Sequence, residues 1–95
     1  MQYLVIAYDN ANALERRLES RDEHVEGVRK LMAEGKIINA AALMEEDVMV
    51  GSTLFIDFET DEELDAWLEN DPYVKNNVWD MDEFQIVPMK VLPKE

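Results

Sequence analysis

Cysteine is absent from this 95-residue chain. That excludes disulfide bridges, thiolate nucleophiles and cysteine-ligated zinc, and it suits the reducing cytoplasm. Histidine occurs once, at position 24, so a zinc site assembled from imidazoles lacks its ligands as well. There are three glycines and three prolines. None of the glycines stands in a phosphate-cradling loop or a dinucleotide fingerprint. Basic residues are scarce: 9 Lys and Arg face 22 Asp and Glu, giving a formal net charge of −13 and an isoelectric point near 4.3. Nucleic acid binding draws on clustered Lys and Arg to neutralise phosphate, and no such cluster is present. The same negative field opposes an anionic membrane surface and free anionic substrates unless a local Arg or Lys reverses it. The opening residues 1–8 lack a basic flank and meet Asp9 too early for a signal peptide or a membrane span. The expectation is a cytoplasmic protein with neither nucleic acid nor membrane as partner.

Hydrophobic residues make up 47% of the chain, enough for one folded domain over residues 1–95 with a single core. So small a core is often supplemented by a subunit interface. Trp67, Trp79, Tyr73 and the six methionines supply apolar surface for one, which predicts a homo-oligomer. The runs Glu45-Glu46-Asp47 and Asp61-Glu62-Glu63 read as solvated faces.

Residues 3–8 are β-branched and aromatic on both alternating faces, which predicts a central strand. Residues 11–34 are helical in tendency: Leu14 and Leu18 repeat at i, i+4, and Val25, Val28, Leu31 and Met32 follow a polar gap at 19–23. The gap predicts a bend near Ser20. Gly35 is placed for the left-handed residue after a helix. Residues 37–44 and 48–58 then read as two strands of a hairpin, and Gly51 marks a bulge or a close backbone approach. Thr60 and Glu63 form a capping box for a second helix carrying Leu64, Trp67 and Leu68 on one face. Pro72 stops that helix. Residues 78–92 are expected as a fourth strand, held to an edge by Pro88 and Pro93. The order β-α-β-β-α-β is the split βαβ pattern, an α+β ferredoxin-like fold with an antiparallel sheet.

Few residues are equipped for chemistry. Asp71 precedes proline, which disfavours the helical region for it and holds its carboxylate at a corner. It reads as the N-cap of a short helix with Pro72 at the first position, and its second oxygen is free for another bond. His24 lies four residues before Val28, at the edge of the buried stripe. It reads either as an ordinary histidine at the margin of a core or as an acid–base group, since imidazole ordinarily exchanges a proton near neutral pH. A lone histidine needs a partner to set its tautomer, and Asp71 could be that partner. Arg21, one turn before His24, could anchor an anionic or carbonyl group, or simply pair with an acidic neighbour. Ser52 could donate a hydrogen bond to substrate. No GxSxG elbow surrounds it, which argues against a serine nucleophile. Asp80, Asp82 and Glu83 resemble a fragment of a calcium loop but lack its order and its glycine.

Taken in order, several stretches resemble the YciI-like (YCII-related) family. They are Tyr-Leu-Val-Ile-Ala-Tyr-Asp at residues 3–9, Arg21-x-x-His24, Glu34-Gly35-Lys36-Ile37, Gly51-Ser52-Thr53 and, above all, Asp71-Pro72-Tyr73-Val74. The similarity spans nearly the whole chain. The resemblance implies a dimeric ferredoxin-like α+β barrel in which two sheets pack face to face, and a site centred on His24 and Asp71 with Ser52 nearby. Relatives sharing this barrel include lactone isomerases and small-molecule dehalogenases or monooxygenases that work without metal or organic cofactor, so none is expected here. The chain departs from the family's usual glycine and proline at Ala41-Ala42-Leu43, its leucine at Val25 and its frequent glycine at Asn77. The expected function is a cofactor-independent enzyme with a His24–Asp71 acid–base pair, acting on a lactone or hydroxylated ring, with Ser52 and Arg21 as substrate contacts. The alternatives are a non-catalytic dimeric binding or sensing module and a plain dimerisation unit.

Overall fold

A computed structural model describes residues 1–93. Its elements are β1 (Gln2–Tyr8), α1 (Leu14–Ala33), β2 (Ile37–Glu45), β3 (Val48–Asp57), α2 (Asp61–Asn70), α3 (Pro72–Lys75) and β4 (Gln85–Pro88). The sheet order is β2-β3-β1-β4 and every neighbouring pair is antiparallel. This is the α+β, ferredoxin-like arrangement that the pattern of elements predicts, with β1 interior as its two apolar faces require.

Register sets which side chains form the core. Val5 pairs with Leu54, Tyr3 with Ile56 and Ala7 with Ser52, and the period of two puts these on the face covered by the helices. Val5, Ala7, Leu54 and Ile56 are buried there together with Ile37, Phe58, Val78 and Trp79. The hairpin between β2 and β3 closes through Glu46 (φ 49°) and Asp47 (φ 65°), the positive pair that a two-residue type I′ turn requires. Gly51 answers to close approach: a Cβ there would sit 2.6 Å from the carbonyl oxygen of Ala7 and 3.1 Å from Cα of Tyr8. Gly35, at φ 76°, takes the left-handed position beyond α1. Thr60 caps α2 by accepting from the N–H of Glu63 at 3.1 Å. The Glu63 carboxylate in turn accepts from the N–H of Glu59, one residue earlier than a standard box would have it. Its other oxygen takes a 2.7 Å bond from Lys36. That bond chiefly lowers the Glu63 pKa and raises that of Lys36.

Three expectations change. First, α1 runs through Ser20 as one helix. The polar gap is accommodated by a hydrogen bond that Asn76 donates to Ser20 Oγ at 2.9 Å. Leu14 and Leu18 are exposed, at 41% and 55%, while Arg17, Ser20, His24 and Val28 face inward. Polar groups can take an inner helix face when each meets a partner there. Second, β4 is four residues long and does not begin at Val78. Val78 and Trp79 are buried one after the other, and an Asp80 turn, in which Oδ1 accepts from the N–H of Asp82 at 3.0 Å, then redirects the chain. Third, Tyr73, Trp79 and Trp67 are 1%, 1% and 9% exposed. These aromatics belong to the core and offer no surface to a second subunit. At Asn77 the backbone takes φ 56°, a conformation that glycine adopts most cheaply.

Candidate active site

Asp71 stands where α2 ends and α3 begins, with extended φ and ψ of −71° and 130°. Pro72 at the first position of α3 enforces that corner. Its Oδ1 accepts from the N–H of Tyr73 at 2.8 Å, which is the capping bond. The same carboxylate also meets His24: Nδ1 lies 2.9 Å from Oδ1 and 3.0 Å from Oδ2. The two residues, 47 positions apart in sequence, are only 8% and 6% exposed, so bulk water does not compete for the bond.

An ionised Asp71 has only acceptors, so Nδ1 donates to it. Nε2 is then the basic nitrogen, and it has no protein partner among the described residues. The imidazole is also held by its faces. It stacks on the Tyr73 ring at a centroid distance of 3.8 Å and 11° between planes, and it meets Trp79 edge-on at 5.7 Å. Ring orientation is therefore set by a hydrogen bond and two aromatic contacts.

Next to this pair lies a buried network centred on Arg17, which is 3% exposed. Its Nε donates to Asp9 Oδ2 at 2.8 Å, and Nη1 reaches the Tyr73 hydroxyl at 3.3 Å. Nη2 donates to the Gly51 carbonyl and to Ser52 Oγ, the latter at 2.6 Å. Trp79 Nε1 donates to the same Ser52 oxygen at 3.1 Å. With both lone pairs engaged, the Ser52 hydroxyl keeps its hydrogen for a further acceptor. The guanidinium also lies 4.7 Å from the centre of the Tyr73 ring. Burial raises the Tyr73 pKa, with Arg17 and Arg21 opposing the rise, and the phenol stays a neutral donor.

His24, Ser52, Tyr73 and Arg17 border a cavity of about 240 Å³ between α1 and the β2–β3 hairpin. Arg21 also lines it, so His24, Ser52 and Arg21 border one cavity, and Asp71 is joined to it through its bond to His24. Val25, Val28, Ala42 and Leu54 supply apolar wall. A larger groove of about 390 Å³ lies between α1 and α2 on the far side of Asp71, and His24 does not reach it. Asp80, Asp82 and Glu83 form no group of three ligating side chains suited to a metal among the described residues.

Sequence reasoning selects Arg21 and passes over Arg17, Asp9 and Tyr73. Arginine is rarely buried, and its default placement in water hides this one. The available signal was spacing: Arg17 precedes His24 by seven residues, two helical turns on the same face.

Comparison with known proteins agrees with this architecture. Residues 1–90 match the YCII-related domain. Protein YciI of Escherichia coli is 33% identical over 87 residues, covering 84% of this chain and 89% of that protein. Aspercryptin biosynthesis cluster protein B of Emericella nidulans is 27% identical over 106 residues, covering 99% of this chain and 68% of that protein. Among solved structures, 5-chloro-2-hydroxyhydroquinone dehydrochlorinase from Burkholderia phenoliruptrix, in complex with 2,5-dihydroxybenzoquinone, superposes with a TM-score of 0.82. The match covers 95% of this chain and 94% of that one at 23% identity, a likeness of fold. The extent of the domain match and the identity to YciI establish that this chain belongs to the YCII-related family.

Proposed function

We propose that this protein is a small-molecule enzyme that works by general acid–base proton transfer on a lactone or hydroxylated ring. His24 is the acid–base group, through Nε2. Asp71 is its positioning residue: it holds the Nδ1–H tautomer and stabilises the imidazolium once Nε2 has taken a proton. Ser52 offers its free hydrogen to a substrate oxygen, and Arg21 provides positive charge beside it. The observation that carries this reading is the buried 2.9 Å contact between His24 and Asp71 next to a cavity that the ring itself lines. The dehydrochlorinase of the same fold, by its name, acts on a hydroxylated ring, which supports the same substrate class. Proton transfer of this kind uses the imidazole alone and calls on no metal or organic cofactor.

The assembly we propose is a homodimer formed through the uncovered sheet face. Leu4 pairs with Phe55 and with Val87 on that face, and Phe55, Val87 and Tyr8 are 38%, 41% and 50% exposed.

The experiment is a panel of lactones and hydroxyaromatics screened for turnover with the wild type and two variants. Asp71→Asn keeps an efficient helix cap but removes the charge. His24→Gln keeps a polar group towards Asp71 but cannot shuttle a proton at neutral pH. Both should fold, with Asp71→Asn slowing turnover by about 10²-fold or more and His24→Gln reducing it to background, as general acid–base contributions of roughly 10²–10⁴ require. Full activity in His24→Gln overturns the reading. Ligands that raise the melting temperature of the wild type without being turned over would favour the non-catalytic binding module.

A further inference from the structure

The cavity beside His24 reverses the charge of the rest of the molecule. The chain carries 22 acidic and 9 basic residues, yet among the described residues no Asp or Glu lines this hollow, whereas Arg17, Arg21 and Arg29 do. Arg17 is committed to Asp9. Arg21 and Arg29 join no ion pair among the described residues. Both are exposed, and both stand on α1 with Val25 midway between them, so their guanidinium groups flank the stretch of helix that carries His24.

An acidic surface repels anions, and two partnerless arginines at the mouth of one cavity invert that locally. Guanidinium matches a carboxylate or ionised hydroxyl through paired N–H donors. The interior takes a ring: a cavity of about 150 Å³ accommodates benzene, and about 240 Å³ is available here between Val25, Val28, Ala42 and Leu54. The charge of Arg21 is also felt inside. Burial raises the Tyr73 pKa, and Arg21 is among the charges that oppose the rise.

We propose that the site selects a small organic anion, a single ring bearing a carboxylate or an ionised hydroxyl, with its charge held by Arg21 and Arg29 and its ring laid against His24. The position of the reacting atoms over Nε2 rests on the acid–base reading, whereas the anion selectivity does not.

The test titrates the intact protein with 4-hydroxybenzoate and with its uncharged counterpart 4-hydroxybenzamide, by isothermal calorimetry at neutral pH and low salt. The anion should bind about tenfold tighter or more, the ratio that ~1.4 kcal/mol represents. Arg21→Ala/Arg29→Ala should erase that preference, bringing the affinity for the anion down to that for the amide in the same variant. Equal affinity for the two probes, no binding of the anion, or a preference that survives the double substitution overturns the proposal. His24→Gln separates the two readings, because it should lose turnover and keep the anion preference. An anion preference in a wild type that turns over nothing in the panel leaves this site standing and the enzyme reading fallen.

Discussion

At the scale of single residues, the site depends on burying polar groups with partners. Arg17 is enclosed because Asp9, Ser52, Tyr73 and the Gly51 carbonyl receive its N–H groups. Among the described residues Asp9 alone supplies a countercharge to Arg17, and its other oxygen, Oδ1, is buried with no hydrogen-bond partner there. Removing one member of a buried pair leaves an uncompensated charge, at a cost of about 3–5 kcal/mol. Asp9→Ala should therefore lower the unfolding free energy by about that amount in urea denaturation. A loss below ~1 kcal/mol would show that the pair is not needed to hold Arg17 inside. The His24–Asp71 contact follows the same logic on a smaller scale. One carboxylate caps a helix and orients an imidazole because it has two oxygens and a proline beside it.

At the scale of elements, β1 and β3 carry the most stringent constraint. Their backbones meet so closely at Gly51 that the Ala7 carbonyl occupies the space a Cβ would need. Backbone cannot swing aside as a side chain does, so Gly51→Ala should destabilise the protein by roughly 1–3 kcal/mol, the usual cost of overpacking. It should also disturb Ser52, the next residue, and a loss of the Ser52–Trp79 bond would alter Trp79 fluorescence. Thermal unfolding and emission spectra together check this, and an unchanged melting temperature would contradict it. Much of the element pattern was legible beforehand. Alternation marked the strands, and Thr60, Gly35 and Pro72 marked where helices begin and end. Val78 and Trp79 look like the start of the fourth strand, which begins only at Gln85, because nothing local shows that the chain turns at Asp80 after burying both. The apolar spacing of Leu14 and Leu18 was equally misleading. The helix turns a different face inward, since Arg17 and Ser20 find hydrogen-bond partners on the sheet and on the segment after α3.

At the scale of the whole molecule, the sheet has one face covered by helices and one face bare. Leu4, Ile6, Phe55 and Val87 share the bare face by register, and no helix among the described residues packs over them. A face-to-face pairing of two copies would remove this surface from water, at about 25 cal/mol for each Å² of apolar area. We expect a dimer in analytical ultracentrifugation. Phe55→Glu places two carboxylates in the apolar interface and should shift the protein to monomer while leaving its helical circular dichroism intact. A dimer that tolerates Phe55→Glu would move the interface elsewhere.

The amino-acid order by itself determined the class of fold and marked His24, the single histidine, and Asp71, the residue before Pro72, as side chains able to pair. Both follow from short-range rules: period-two and period-3.6 burial, the restriction before proline, and the capping chemistry of Asp71. Tertiary structure decided which residues meet. The choice of Arg17 over Arg21 as the enclosed arginine, the stacking of His24 on Tyr73, and the gathering of free arginines around one hollow of an acidic protein all depend on strands and helices distant in sequence supplying partners. Burial of a polar group is favourable or ruinous according to what stands opposite it, and that is a property of the folded chain.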